Sequence, residues 1–522
     1  MTRLITRERL IILAVFTAGM TTLAIEITAA RLLGTVFGTS NIVWANIIGL
    51  ILIYLAAGYF IGGRWADRSP YADTFYRIIA WGAFTAGLVP LISRPVLRQA
   101  AVAVQALDAA IMVGSFISVL VLFVVPITLL GCVSPFAIRL SITETAKAGR
   151  TSGRVYAVST VGSILGTFLP VLWLIPTIGT ARTFLLFSLV LLLMALGGLA
   201  FESGARRMLR YAWMPIALIG LSALALSGPI KDGSLYETES SYNYIQVVEN
   251  DGVRLLYLNE GLAEHSIYLP EEGAPPYGYG TWEMFLVAPF FNPAPVELDD
   301  LGRVGLIGLA GGTIAKQYSE IFGPVPIDGW EIDPEIIRVG REYFDMNEPN
   351  LNAIVADGRT GLEQSEHLYS VIAIDAYRAP YIPWELTSVE FFQNVADHLE
   401  DRGVLAINVG RTAEDRRLIE ALAGTIQAVF PSVYLVDVPG SFNSLLYATR
   451  EPTQATNLVE NLLALEGREA PNELIDVLNR ATANIRTTPE TDIVFTDDRA
   501  PVEQLINSIV LQFVLGGMEG LP

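Results

Sequence analysis

Seven stretches within the first 230 residues stay apolar long enough to cross a bilayer as helix: roughly 10–33, 41–63, 76–93, 111–138, 155–179, 183–201 and 211–228. A crossing takes about 20 mostly apolar residues. The first stretch is too long and too polar at its flanks for a cleaved signal peptide, and no A-x-A site follows it, so it reads as a retained span. Residues 97–110 (LRQAAVAVQALDAA) are only moderately apolar and carry Asp108. They read as an interfacial helix or as part of an eighth, shorter span.

Beyond residue 230 the period changes. YETESSYNYIQVVEN and VRLLYLNEG flank the turn Asn250-Asp251-Gly252 and predict a β-hairpin, with a further strand or loop near His265–Leu269. A Pro/Gly-rich linker over 270–280 leads to the helix-like TWEMFLVAPFF. From Arg303 onward, short apolar runs (VGLIGLAG, VPIDGWEID, NAIVAD, SVIAIDAY, GVLAINVG) alternate with amphipathic helices. Runs so short and so apolar predict a mostly parallel sheet covered on both faces.

Charge divides the chain at the same place. Residues 1–230 hold 17 Lys and Arg against 7 Asp and Glu, a net of +10, and the remaining 292 residues hold 17 against 46, a net of −29. The early basic residues cluster before the first span and in the second, fourth and sixth loops, thirteen against three (Arg94, Arg98, Arg182) in the odd loops. Basic loops stay cytoplasmic, so the pattern predicts a multi-pass protein of the cell membrane with a cytoplasmic N-terminus. Seven spans would place the acidic half outside and eight inside, and the charge pattern favours seven. The acidic balance argues against nucleic-acid binding. Cys132 is the single cysteine, and His265, His367 and His398 are too scattered to propose a metal site. Glu26, mid-span with Arg31 just over one turn on, marks either a polar pathway or an internally hydrogen-bonded carboxylate.

In parallel sheets ligands bind at the carboxyl ends of the strands, and four strand ends here carry chemistry. Gly308-Leu309-Ala310-Gly311-Gly312 follows the first strand, Glu331 ends the second, Asp357-Gly358 the third and Asp375 the fourth. Glycines let backbone approach a ligand, and an acid about 20 residues on can accept both hydroxyls of a ribose. Asp357 can accept from an adenine amino group. The alternative for these acids is helix capping, the expected use of Asp333 before Pro334.

SYNYIQVVE, WEIDPEII, VADGR, IDAY and LTSVEFFQNVADHLEDRGVLAINV together resemble the spermidine synthase family of aminopropyltransferases over about residues 234–450. The whole chain is similar to members fused to a multi-span segment, and the loop GGRWADR (Gly62–Arg68) resembles one in major facilitator transporters. The resemblance implies an all-α polytopic membrane domain (1–230), a small β-hairpin subdomain and linker (234–280), an α/β Rossmann-like nucleoside-binding transferase domain of class I methyltransferase type (281–450), and a helical tail (451–522). It implies decarboxylated S-adenosylmethionine, or S-adenosylmethionine, as cosubstrate, no metal, a small-molecule amine as acceptor, and leaves a homodimer open. By position Asp375 is the catalytic acid. Glu331 meets the ribose and Asp357 the adenine, with Gly308, Gly311, Gly358 and Asn243 around the donor. Glu283, Tyr377, Arg378 and Tyr381 stand on the acceptor side.

Departures from the family concentrate there. The family's D-S-S-D-P is Asp375-Ala376-Tyr377-Arg378-Ala379, the glycine loop lacks its acid, a glutamine is Asn243, and tyrosine-histidine-glutamate is Thr281-Trp282-Glu283. An arginine about 4 Å from a diamine repels it by roughly 4 kcal/mol at an effective dielectric near 20. Trp282, Tyr277 and Tyr279 are further pocket candidates. Asp497 and Asp498 in FTDDRAPVEQL stand near the site or cap the last helix. Three readings stay open: aminopropyl transfer to an amine, transfer to a non-diamine acceptor, and a transporter or sensor that only binds a nucleoside or polyamine.

Overall fold

The computed structural model describes residues 6–37, 41–106, 110–142, 147–225, 233–259, 263–270, 280–377, 382–466 and 470–515. The chain forms two compact units, residues 1–232 with 237–244, and residues 233–236 with 245–522.

The first unit is helical: α1 (Arg7–Phe37), α2 (Asn41–Arg68), α3 (Ala72–Ala106), α4 (Ala110–Gly131), α5 (Val133–Ser141), α6 (Ala148–Leu169), α7 (Ile175–Ile178), α8 (Thr180–Ser203), α9 (Ala205–Leu209) and α10 (Trp213–Ala225). Among the described residues six helical stretches are long and apolar enough to cross a membrane: Arg7–Gly34, Val43–Arg68, Ala72–Ser93, Phe116–Ser141, Ala148–Ile178 and Thr180–Ser203. The expected seventh span forms α10, 13 residues in its described part, about 20 Å of helix. Residues 97–106 continue α3 instead of forming a helix of their own. Pro170 lacks the N–H that an α-turn would use, and a π-turn over Pro170–Leu174 carries α6 into α7.

Small residues let helices touch backbone to backbone. A Cβ on Gly162 or Gly166 of α6 would lie 2.1 Å from Phe16 O or 2.0 Å from Met20 O of α1. Apolar lipid offers helices no hydrophobic reason to associate, so such close packing supplies the attraction. Ion pairs tie one end of the bundle together: Arg7 to Glu202 at 2.9 Å, Arg154 to Glu8 at 2.5 Å and Arg207 to Asp73 at 3.1 Å. At the opposite end, Arg31 near the close of α1 donates to the carbonyls of Ser240 and Ser241. There the Glu239 carboxylate also accepts from the Thr180 amide (2.9 Å) and hydroxyl at the start of α8, where the helix dipole favours an anion.

The second part of the chain opens with an antiparallel sheet of order β1-β2-β3-β4, made by β1 (Ser234–Glu239), β2 (Tyr244–Asn250), β3 (Val253–Leu258) and β4 (Glu264–Tyr268). β2 and β3 form the expected hairpin, closing on the Asn250↔Val253 pair. Its two central residues are left-handed, Asp251 at φ 51° and Gly252 at φ 79°, as the tight hairpin turn requires. The opening run, expected as one strand, breaks into two. The Ser240 hydroxyl accepts from the amides of Tyr242 and Asn243 and turns the chain there.

TWEMFLVAPFF is a buried 3-10 helix, Trp282–Phe291. Apart from Glu283, which pairs with Arg480, it is apolar, and side chains satisfy its carbonyls. Tyr447 reaches Met284 O and Tyr318 reaches Phe285 O, both at 2.6 Å, and Asn461 and Asn457 reach Phe290 O and Phe291 O at 3.0 Å.

The main sheet holds β5 (Val304–Ile307), β6 (Ile327–Glu331), β7 (Leu351–Val355), β8 (Tyr369–Ile374), β9 (Leu399–Gly410), β10 (Ser432–Asp437), β11 (Asn443–Thr449) and β12 (Ile485–Arg486). Its order is β12-β10-β11-β9-β8-β5-β6-β7. The five strands β7-β6-β5-β8-β9 are parallel and β11, β10 and β12 antiparallel. Around it run α11 (Thr313–Ile321), α12 (Pro334–Tyr343), α13 (Gly358–Glu363), α14 (Val389–Asp397), α15 (Arg417–Gln427), α16 (Thr456–Glu466), α17 (Asn472–Ala483) and α18 (Val502–Leu515). Leu306, Ala373 and Ala406 enter one core, and Ile307, Ile374 and Ile407 the other. This is the doubly covered sheet that the apolar runs predict. Strand order reverses between β5 and β8, which opens a crevice at their carboxyl ends.

Candidate active site

The glycine loop begins where β5 ends. Gly308 has φ +86°, and a Cβ there would lie 2.6 Å from Asp375 O and 2.8 Å from Ala376 Cα. No other residue fits, because both the handedness and the space exclude a side chain. The amides of Gly308 and Leu309 donate to Trp330 O, which closes the turn against β6. The Gly311 amide donates to Ser266 Oγ at 2.8 Å, so β4 braces the loop from the small sheet.

Glu331 ends β6 under this loop. Its carboxylate accepts from the amides of Ala310 and Asp333, each at 3.1 Å. Burial pushes the carboxyl up to about 7, against those amide bonds, which lower it. A carboxylate has about four acceptor positions and the Ile332 amide also bonds to this one, so capacity remains for a ribose hydroxyl. Asp357 caps α13, accepting from the Thr360 amide at 3.0 Å through Oδ1. Gly358 lies beside it, where a Cβ would meet Ile307 Cγ2 at 2.4 Å. Gly308, Gly311, Glu331, Asp357 and Gly358 thus stand at adjacent ends of β5, β6 and β7. Asn243 lies in the Ser240 turn of the small sheet, its amide donating to Ser240 Oγ at 2.8 Å.

Asp375 follows β8. Asn408 Nδ2 donates to its Oδ1 at 2.9 Å, and the Trp282 side chain donates to it as well. Burial raises this carboxyl above the ordinary range, opposed by those two bonds. Tyr377 lies two residues on. Its hydroxyl donates to Asn408 O at 3.1 Å and accepts from the Gly410 amide at 2.6 Å. Asn408 is 6% exposed, and its Oδ1 is buried with no hydrogen-bond partner among the described residues. Leaving such an acceptor unpaired costs about 1–3 kcal/mol, which a donor on a bound ligand would recover.

Glu283 is buried and paired with Arg480. Arg378 and Tyr381, with Tyr277 and Tyr279, lie outside the described residues. Among those described, no three His, Cys, Asp or Glu converge on a metal position. Asn408 was not singled out from the sequence. The available signal was a polar side chain near the carboxyl end of the apolar run GVLAINVG, beside the strand of Asp375.

Residues 323–457 match the spermine/spermidine synthase domain family. A probable polyamine aminopropyl transferase of Bifidobacterium longum is 30% identical over 285 residues, which are 52% of this chain and 61% of that protein. A polyamine aminopropyltransferase of Vibrio vulnificus is 28% identical over 239 residues, 43% of this chain and 75% of that one. A crystal structure of a probable spermidine synthase from Corynebacterium glutamicum covers 49% of this chain and 99% of its own at 20% identity, with a TM-score of 0.38. The chain thus spans under two thirds of the length of the Bifidobacterium relative. Over residues 323–457, which hold the strand-end acids Glu331, Asp357 and Asp375, the carboxyl-terminal part of this chain is thus similar to the spermine/spermidine synthase domain family.

Proposed function

We propose that the protein is a membrane-anchored aminopropyltransferase that uses decarboxylated S-adenosylmethionine and an amine acceptor. One observation carries this reading: a half-buried carboxyl, Asp375, sits beside a buried acceptor without a hydrogen-bond partner among the described residues, Asn408 Oδ1, next to a nucleoside-type cradle. The donor supplies an aminopropyl carbon activated by a sulfonium. Glu331 accepts from the ribose, Asp357 faces the adenine, and the glycine turn keeps side chains away from the sulfur. Asn408 Oδ1 and Asp375 accept from the amine and hold its lone pair toward that carbon. The amine forms its N–C bond as the C–S bond opens and the electron pair stays on sulfur, releasing methylthioadenosine. The proton lost by nitrogen passes to Asp375, whose raised affinity for protons suits a general base.

The helical half reads as the membrane anchor. Gly62–Arg68, expected as a transporter-like loop, instead forms the last turns of α2, where Asp67 pairs with Arg139 at 3.3 Å, and no transport cycle follows from it. The contacts of residues 239–241 with the end of α1 and the start of α8 support an odd number of crossings, with α10 completing the last. The test of function is a mass-spectrometric product assay on the full-length protein with this donor and mixed amines. Aminopropylated product that requires Asp375 is expected. Intact donor in every mixture, with the fold verified, overturns the reading.

A further inference from the structure

Three arginines converge on one carboxylate beside the acceptor half of the site. Asp437 accepts from Arg416 Nη1 and Nη2 at 2.9 and 2.6 Å, from Arg486 Nε at 3.0 Å and from Ser444 Oγ at 2.7 Å. Arg411 Nε stands 3.4 Å from the same carboxylate. Burial alone would raise the Asp437 carboxyl, but Arg416, Ser444, Arg486 and Arg411 hold it well below the usual range. It is therefore an anion, and the cluster keeps two positive charges in excess.

The register places this cluster. Gly410 pairs with Asn443, and Ser444 with Asp437, so Asp437 lies at the carboxyl end of the parallel strands, the end that holds Asp375. A hydrogen-bonded path joins the two. Asn443 Nδ2 donates to Thr281 Oγ1 at 3.0 Å, and the next residue, Trp282, donates to Asp375. From β8 through β9 and β11 to β10 is three strand spacings, about 14 Å. Arg411 and Arg416 spend their donors largely on Asp437, Ser444 and backbone carbonyls. Arg486 does not. It reaches Asp437 through Nε, its terminal nitrogens make no hydrogen bond among the described residues, and its side chain is 51% exposed.

We infer that the acceptor is an amine carrying an anionic group, a carboxylate or a phosphate, with its nitrogen at Asn408 and Asp375 and its anion at the Arg486 side of the cluster. This rests on the transferase reading and names its acceptor class. A guanidinium with two free donors in a fork suits either oxyanion. A simple diamine would bring a second cation toward two excess positive charges.

The experiment measures aminopropyl transfer by the full-length protein in detergent. The acceptors are putrescine and 1,12-diaminododecane as diamines, 12-aminododecanoate as carboxylate and 10-aminodecyl phosphate as phosphate, whose extended chains span the about 14 Å from Asp375 to the cluster, with methylthioadenosine binding followed in parallel. The expected result is kcat/KM at least tenfold higher for one anionic amine than for either diamine. Arg486→Gln then raises KM for that amine about tenfold, leaves kcat and methylthioadenosine affinity unchanged, and Arg486→Lys restores part of the loss. Retained methylthioadenosine binding certifies each variant's fold. A diamine used as well as the anionic amines, an unchanged KM in Arg486→Gln, or methylthioadenosine binding without transfer to any anionic amine overturns the inference. Absence of both methylthioadenosine binding and transfer overturns the underlying transferase reading instead.

Discussion

Arg359 and Asp497, 138 positions apart in sequence, are joined by two hydrogen bonds of 2.7 Å, one from each terminal nitrogen to each carboxylate oxygen. Asp497 also accepts from Ser388 Oγ, and Arg359 reaches Glu385 O. The FTDDRAP segment thereby ties the helix that starts beside Asp357 to the chain leading into α14.

Asp497→Ala frees Arg359 two residues from the adenine-side acid. Methylthioadenosine affinity measured by calorimetry on the full-length protein should fall about threefold to tenfold, the loss of one charge-assisted pair at a half-exposed site. Asp497→Glu should recover part of it. An unchanged dissociation constant would show that the tail does not position the donor site.

Glu331 gives a pH dependence with a definite sign. Its folded carboxyl titrates near 7 against an ordinary 4.5. Between those values the folded state holds a proton that the unfolded state has lost. Stability therefore falls as pH rises through that window and is level above it, by up to about 3 kcal/mol for a shift of this size. Glu331→Gln should remove the dependence in denaturant titrations. The same carboxylate must be ionised to accept fully from the ribose, so methylthioadenosine should bind more tightly as pH rises through about 7. A flat binding profile in the parent protein contradicts this.

Asp375→Asn should lower kcat by about 10²- to 10⁴-fold, the usual contribution of a general base, while methylthioadenosine affinity stays within a few-fold. Asn408→Leu should act mainly on KM for the amine, because it deletes an acceptor and a positioning bond without touching the nucleoside cradle. Equal effects of both variants on donor binding would show that the two residues merely support the fold.

A reporter fused after Pro522 distinguishes an odd from an even number of crossings. The Arg31–Ser240 and Glu239–Thr180 bonds lie at the end of the bundle opposite the Arg7–Glu202 and Arg154–Glu8 pairs. With a cytoplasmic N-terminus, the fusion should report from the outer side. The donor would then have to reach an active site outside the cytoplasm. A cytoplasmic signal would mean an even count and would remove that requirement.

The parallel sheet was legible because β5 (VGLI) and the VIAI end of β8 are buried and read as uninterrupted apolar runs, although the equally buried β6 (IDGWE) carries Asp328 and Glu331. The strand-end placement of Gly308, Glu331, Asp357 and Asp375 was legible for the same reason, since each directly follows or closes such a run. The break at Ser240 was not, because it depends on one hydroxyl turning back on two amides inside strand-like text. Nor was the 3-10 form of Trp282–Phe291, whose carbonyls are satisfied by tyrosines and asparagines far along the chain. The arginine cluster needs four segments, at 411, 416, 437 and 486, to meet. Spacing carries no sign of that meeting until the antiparallel edge of the sheet is known.

Gly308 touches the backbone of Asp375 itself. Variation at the donor loop therefore displaces the acid, and variation around the acid presses on the loop, so neither can drift alone. The β10-β12 end of the sheet makes no such contact with the glycine turn among the described residues, and the arginines gathered there can be exchanged while the nucleoside cradle stays in place. A lineage built on this scaffold can change the molecule it modifies without relearning which group it transfers.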